Sequence, residues 1–208
     1  MKQEARSERS RTQILSAALR LFSSQGYRGT NMREIAEAAG VSTGNVYHQF
    51  KGKEAVFQTL LDDYAVMVAS PDYPFNTAVA EGAFPEDLEK LAAAVRLGLE
   101  QTRAHALLVY VDVIEFDGRH LRQFHENLTG RFTTYLQTEA GRRSASLIRD
   151  GVSPLTAIQF TTRFLRKFFE IEVLFGVGKE HCGRESSEVL AEMIEILKFG
   201  LLPPRGRG

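Results

Sequence analysis

The sequence predicts an all-α fold of about nine helices, with an N-terminal three-helix domain over residues 1–53 and a larger helical domain over 54–208. Three observations carry that prediction. Apolar residues recur at intervals of three and four along most of the chain, which places them on one side of successive helices. No run alternates apolar and polar residues as a half-buried strand would. The glycines and prolines that interrupt the helical period gather at positions 26, 40, 71–85, 151–154 and 176.

The elements follow in order. Residues 1–8 are polar and are expected to fray. A helix beginning near Ser10 carries Ile14, Leu15, Ala18, Leu19 and Phe22 on one stripe and ends at Gln25-Gly26, where glycine suits a left-handed cap. Thr30 or Asn31 caps a short second helix that buries Ile35, Ala36 and Ala39 and stops at Gly40. Ser42 or Thr43 caps a third, reaching about Gln49 with Val46 and Phe50 inward. A fourth helix carries Val56, Phe57, Leu60, Leu61, Tyr64 and Val68 as far as Pro71. Residues 71–85, with three prolines and a glycine, read as a loop. Helices are then expected over 86–103, 107–115, 118–149, 155–175 and 187–199, with 176–187 as a connection and the Pro203-Pro204 and RGRG tail without order.

Composition bounds the function. The chain has 208 residues, 43% apolar and 25% charged, ordinary values for a globular protein with a real core. A single cysteine, Cys182, excludes an internal disulfide framework and leaves no cysteine cluster for zinc. No stretch of apolar residues is long enough to span a membrane. The opening MKQEARSERSRTQ lacks the apolar segment of a secretory signal. A reducing cytoplasm is the expected setting. Formal net charge is zero, but residues 1–53 carry +5 and the remainder −5. A basic end on an acidic body suits a nucleic-acid reader joined to a domain with another task.

The most specific constellation is TNMREIAEAAGVSTGNVYHQFKGK, residues 30–53. A helix-turn-helix needs a small residue where its helices approach, a tight turn, and apolar residues that set the crossing. Ala36, Gly40, and Ile35, Val41 and Val46 meet these needs. The second helix of the pair can then enter the major groove of DNA. Ser42, Thr43 and Asn45 are short polar residues suited to base edges or phosphates. Gly44 permits close approach of the backbone. Tyr47, His48 and Gln49 suit phosphates. Lys53 sits at the start of the next helix, where an anion is favoured. Arg33 can reach the groove or the backbone, and Thr30 can donate to a phosphate while capping.

Residues 12–57, TQILSAALRLFSSQGYRGTNMREIAEAAGVSTGNVYHQFKGKEAVF, resemble the DNA-binding domain of the TetR/AcrR family of bacterial transcriptional regulators. The resemblance rests on the ILSAALRLF helix, the GY turn, the REIAEAAGVS block and the VYHQFKGKEAVF run, about a quarter of the chain. It implies an all-α homodimer that binds a palindromic operator, an effector-binding C-terminal domain and, most often, repression. It also implies that Thr30, Arg33, Ser42, Thr43, Gly44, Asn45, Tyr47, His48 and Lys53 occupy DNA-contacting positions. The position of Thr43 is often lysine in the family and that of Asn45 often threonine, so the operator cannot be borrowed from relatives.

Residues 86–200 hold no motif of comparable specificity. The helix LTAIQFTTRFLRKFFEIEVLFG is apolar on more than one side, with Ile158, Leu165, Phe169 and Val173 on one and Phe160, Phe164, Phe168 and Phe175 on others. The last helix adds Val189, Leu190, Met193, Ile194 and Leu197. The family resemblance makes these last two helices the expected homodimer interface. Tyr64, Met67, Leu91, Val95, Val109, Val113, Phe116, His120, Phe124, Leu128, Phe132, Phe164 and Phe168 are candidates to line a pocket for an apolar, acyl or aromatic effector, each of them equally readable as core. Arg96, His120 and Arg122 could meet an acid group, with solvated surface as the default.

Other classes are weaker. His120 and His125 are five apart and do not stack as ligands, His181-Cys182 lacks further ligands nearby, and the Asp112/Glu115 pair reads as solvated. Gly176-Val177-Gly178-Lys179 is not a phosphate loop, and no serine elbow or dinucleotide fingerprint occurs, so neither enzyme nor cofactor is expected. The remaining alternatives are a transcriptional activator and an architectural DNA binder without a ligand.

Overall fold

The structure is a computed structural model that describes residues 2–176, 180–181 and 183–202. The Val177-Gly178-Lys179 stretch, Cys182 and the tail from Pro203 onward, all considered above, lie outside the described residues. The described chain is almost wholly helical: α1 (Lys2–Gln25), α2 (Met32–Ala39), α3 (Thr43–Gln49), α4 (Lys53–Ala69), α5 (Pro74–Ala80), α6 (Ala83–Glu86), α7 (Leu88–Gln101), α8 (Arg103–Phe116), α9 (Arg122–Leu136), α10 (Glu139–Leu147), α11 (Pro154–Val173) and α12 (Ser186–Leu201). None is long and apolar enough to cross a membrane.

Among the described residues, twelve helical segments replace the nine expected. Helix α1 begins at Lys2 instead of near Ser10. Its polar first turns are held by Ser7 and Ser10, which accept side-chain amide hydrogen bonds from α3. The 71–85 segment is not a loop. Pro74 stands at the first position of α5, where a missing N–H costs nothing, so proline starts a helix there. The single helix expected over 118–149 is two, because the Thr138 side chain accepts from the backbone N–H of Gly141 and caps α10. Helix α8 starts at Arg103, four residues before its expected start. The 176–187 connection contains a two-residue antiparallel pair, β1 (Glu180–His181) with β2 (Arg184–Glu185), too short to leave an alternating pattern in the sequence.

The chain forms two compact units. The first comprises Met1–Met67 and Thr102–Phe124, the second Val68–Gln101 and His125–Gly208. Helix α8 and most of α4 therefore pack with the N-terminal helices, whereas the sequence reading set the division after residue 53.

The core of the first unit is built on Ile14, Ala17, Ala18, Phe22, Ile35, Val46, Phe57, Leu60 and Leu108, all essentially inaccessible to water. Phe57 lies edge-on to Phe22 and to Tyr27, at 5.5 Å between centroids in each case, and stacks on Phe116 at 5.2 Å. Such pairs add about 0.5–1.5 kcal/mol each beyond the area they bury. In the second unit α11 packs along α7, and Leu88, Leu91, Leu99, Ile158 and Leu165 are fully buried. The Ser144 hydroxyl donates to the carbonyl of Phe84 at 2.7 Å, tying α10 to α6, and Lys198 of α12 pairs with Glu89 of α7 at 2.8 Å.

In the first unit, His105 stacks beside the buried Tyr64 ring, 5.9 Å between centroids. Burial pushes its pKa below the usual 6.5, and the Asp63 carboxylate opposes that shift. The unfolded chain then takes up this proton more readily than the folded one. The contribution is complete above the usual histidine value and is lost as the pH falls through 6.5 toward the depressed folded value. His105→Gln is expected to flatten the fall in melting temperature between about pH 7.5 and pH 5. Thermal melts across that range check it, and a variant with the wild-type slope would show that His105 does not supply this acid limb.

Candidate nucleic-acid interface

The helix-turn-helix is assembled from two caps and a glycine. Asn31 caps α2, its side chain accepting from the N–H groups of Arg33 and Glu34, both at 3.0 Å, while Glu34 reaches back to the Asn31 N–H at 2.9 Å. This reciprocal box satisfies N–H groups that the helix itself cannot. At the other end Gly40 takes φ +67°, and the Val41 N–H bonds to the Ala36 carbonyl. Ser42 then caps α3, accepting from the Asn45 N–H at 3.2 Å. Of α3, Val46 is fully buried and fixes the helix to the core.

The structure sorts the expected DNA-contacting residues into two groups. Arg33, Thr43, Gly44, Tyr47 and His48 are exposed, Tyr47 at 57%. Asn31, Met32, Arg33, Thr43, Tyr47 and Lys53 line a shallow open depression of about 430 Å³. The second group is committed to the protein. Thr30 is 1% exposed and its hydroxyl donates to the Gly26 carbonyl at 2.9 Å, which removes it as a free phosphate donor. Asn45 donates through Nδ2 to the buried Ser10 Oγ at 2.8 Å, and Gln49 through Nε2 to Ser7 Oγ at 2.8 Å. These two face α1, not open groove space. The Ser42 side chain is exposed but occupied in capping.

Lys53 belongs to both groups. It borders the depression, yet its Nζ donates to the Tyr27 and Thr30 carbonyls, both at 2.7 Å, and sits 4.1 Å from the Tyr27 ring centroid. The lysine expected to meet phosphate also ties the start of α4 to the α1–α2 turn. Burial, then Glu54, and more weakly Glu115 hold the Tyr27 phenol above the usual tyrosine range, with Arg119 pulling the other way.

Two acids of α8 are engaged by the protein and not by solvent. Asp112 and Glu115 were expected to be solvated. Asp112 is fully buried, with Oδ1 2.6 Å from His120 Nδ1 and Oδ2 accepting the Leu121 N–H at 3.2 Å. The other His120 nitrogen, Nε2, lies 3.3 Å from Glu54 of α4, which Arg119 also pairs at 2.6 Å. The Glu115 carboxylate accepts the backbone N–H groups of Tyr27 and Arg28 at 2.9 and 2.8 Å. Gly26 has φ +78°, and a Cβ there would stand 2.8 Å from Glu115 Oε1, so glycine serves both the turn and the acid's approach. The available signal was two carboxylates, three residues apart, inside the otherwise apolar VYVDVIEF.

The candidate effector residues fall in both units. In the first, Tyr64 is buried between His105 and Phe124, Phe116 and His120 pack on Phe57, Val109 is half-buried, and Met67 and Val113 are exposed. Phe116 and His120 are therefore parts of the packing around the α1–α2 turn. In the second, Leu91, Val95, Phe132 and Phe168 are buried and Leu128 and Phe164 are half-buried. Arg96 pairs with Glu100 at 3.0 Å, and Arg122 is exposed. The His125 side chain lies outside what the structure describes.

A capped pair of short helices around Gly40, with the exposed side of the second edged by arginine, lysine and tyrosine, defines a DNA-binding helix-turn-helix. Residues 14–60 match the family model of bacterial regulatory proteins of the tetR family. Over 51 residues it is 43% identical to the HTH-type transcriptional repressor KstR2 of Rhodococcus jostii (strain RHA1), covering 24% of this chain and 25% of that protein. Over 93 residues it is 40% identical to the HTH-type transcriptional regulator RutR of Escherichia coli (strain K12), covering 43% of this chain and 40% of that one. The chain thus spans a quarter to two-fifths of these curated relatives. The likeness of fold runs further. The fatty acid degradation regulator FadR from Bacillus halodurans superposes with a TM-score of 0.62 at 16% identity, over 90% of this chain and 94% of that one.

Removing Glu115 tests the turn. Glu115→Ala leaves the Tyr27 and Arg28 N–H groups without an acceptor and is expected to cost about 1–3 kcal/mol in urea denaturation. Glu115→Gln, which keeps one carbonyl oxygen, is expected to lose less. Equal stability of Glu115→Ala and wild type would show that the two bonds contribute nothing net.

Proposed function

We propose that this protein is an effector-responsive transcriptional regulator, acting as a repressor, that binds a palindromic operator as a homodimer. The observation that carries the reading is the exposed side of α3, where Thr43 and Tyr47 stand with Arg33 and Lys53 around an open depression and Gly44 and His48 are exposed on the same helix. Thr43 and the Gly44 backbone take the base edges. Tyr47, His48, Arg33 and the remaining ammonium proton of Lys53 take phosphates, and Thr30, Asn45 and Gln49 hold the helices that present them. In a two-fold dimer the two α3 helices enter successive major grooves about 34–36 Å apart. Apolar side chains without cover in the chain alone, Phe160 at 56% exposure, Ile196 at 71% and Phe199 at 78%, support α11 and α12 as the dimer surface.

Release by an effector, an apolar molecule with an acyl or aromatic body, is the second part of the proposal. The last turn of α8 carries Glu115, which holds the α1–α2 turn, and the helix is followed by His120, which meets α4 at Glu54. A ligand that displaces α8 would pull on the turn that orients α2 and on the start of α4. Moving operator occupancy from 99:1 to 1:99 requires a preference of about 10⁴ for the non-binding state, or ~5.5 kcal/mol.

Selection from a random duplex library, followed by titration of the enriched site with and without small apolar acids and acyl thioesters at matched salt, tests both parts. Enrichment of a two-fold site and loss of binding on adding one class are expected; no enrichment refutes the regulator, and no effect of any compound refutes release by this effector class. Tyr47→Phe is expected to weaken binding to all sequences alike, and a changed preferred site would contradict its phosphate role.

A further inference from the structure

The first two turns of α1 have no ordinary reason to be helical. From Glu4 to Arg9 no side chain is buried, and the first fully buried apolar residue of the helix is Ile14. Short polar helical turns without an apolar contact fray in water. Here they are fastened to the reading helix by its own side chains, Gln49 to Ser7 and Asn45 to Ser10. Two of the seven residues of α3 are thus spent on holding the beginning of α1.

The charges on those turns are segregated. At 100° per residue, Arg6 and Arg9 fall on one flank with Gln13, while Glu4 and Glu8 fall about 150° away around the helix. Both arginines are exposed. Arg6 lies one turn before Ser10 and about 40° from it around the helix, and Arg9 continues the same flank about 60° further on, so the flank begins beside the residue to which Asn45, in the first turn of α3, is bonded. A cationic flank, cleared of acids and pinned beside a helix that enters a groove, meets the phosphates bordering that groove.

We infer that Arg6 and Arg9 form a second phosphate-binding element of this chain, placed next to α3 by the Ser7–Gln49 and Ser10–Asn45 hydrogen bonds. It contacts the sugar–phosphate backbone without reading sequence. The inference rests on the DNA-binding reading above and adds residues to it that lie outside the helix-turn-helix.

The salt dependence of binding to the library-selected duplex tests it, because each neutralised phosphate adds about 0.9 to the slope of log K against log salt. Arg6→Gln/Arg9→Gln removes four arginines from the dimer and is expected to make that slope shallower by roughly 3.6 and to leave the preferred sequence unchanged. Arg6→Lys/Arg9→Lys keeps the charges and is expected to hold the wild-type slope. Arg143→Gln/Arg149→Gln removes the same net charge from two exposed positions of the second unit outside α11 and α12 and is expected to leave the slope unchanged. A wild-type slope in the Arg6/Arg9 glutamine variant overturns this inference alone. So does an equal loss in both glutamine variants, which would mark an effect of net charge. A wild-type protein that enriches no duplex removes the DNA-binding reading itself.

Discussion

The five residues from Gly26 to Thr30 are the constraint on which the first unit depends. Backbone polar groups in a turn must find partners, and here they draw them from separate parts of the chain. The Gly26 N–H returns to Phe22 and closes α1. The Tyr27 and Arg28 N–H groups go to Glu115 at the end of α8. The Tyr27 and Thr30 carbonyls receive Lys53 at the start of α4, the Gly29 carbonyl receives Gln25, and the Gly26 carbonyl receives the Thr30 hydroxyl. One carboxylate and one ammonium thus sit on opposite polarities of the same short turn. Charge-assisted bonds of this kind are worth more than neutral ones, and neither ion is left without hydrogen-bond partners.

That arrangement explains why α8 belongs with the N-terminal helices although residues 70–102 separate it from α4. Tyr27, Phe57, Phe116 and His120 make one continuous aromatic contact around the turn. The buried Asp112 then fixes the His120 ring from behind. Packing and polar bonds agree in direction, so a displacement of α8 changes both together.

Much of this was legible in the sequence and part was not. The helix-turn-helix could be read closely because its signals are local: a cap residue, a small residue, a glycine and three apolar positions within a dozen residues. Gly26 and Gly40 have the left-handed backbone expected of them. What escaped was set by contacts distant in sequence. Nothing near Ser7 or Ser10 announces that Gln49 and Asn45 will hold them, so the start of α1 read as frayed and the two amides read as free for DNA. Asp112 and Glu115 looked like surface acids because their partners, His120 and the turn at Tyr27, lie elsewhere. The 71–85 stretch failed for another reason, since proline signals both a loop and the first turn of a helix and position alone decides between them.

The division of labour along α3 bears on how such a protein could acquire a new target. Its seven residues alternate between duties that cannot be relinquished and duties that can. Val46 holds the core, and Asn45 and Gln49 hold α1, so exchanging them would trade folding against recognition. Thr43, Tyr47 and His48 carry no bond that the fold depends on among the contacts described here. Variation confined to those three could explore operators at little cost in stability, whereas a library that randomised the whole helix would lose most of its members before any DNA was met.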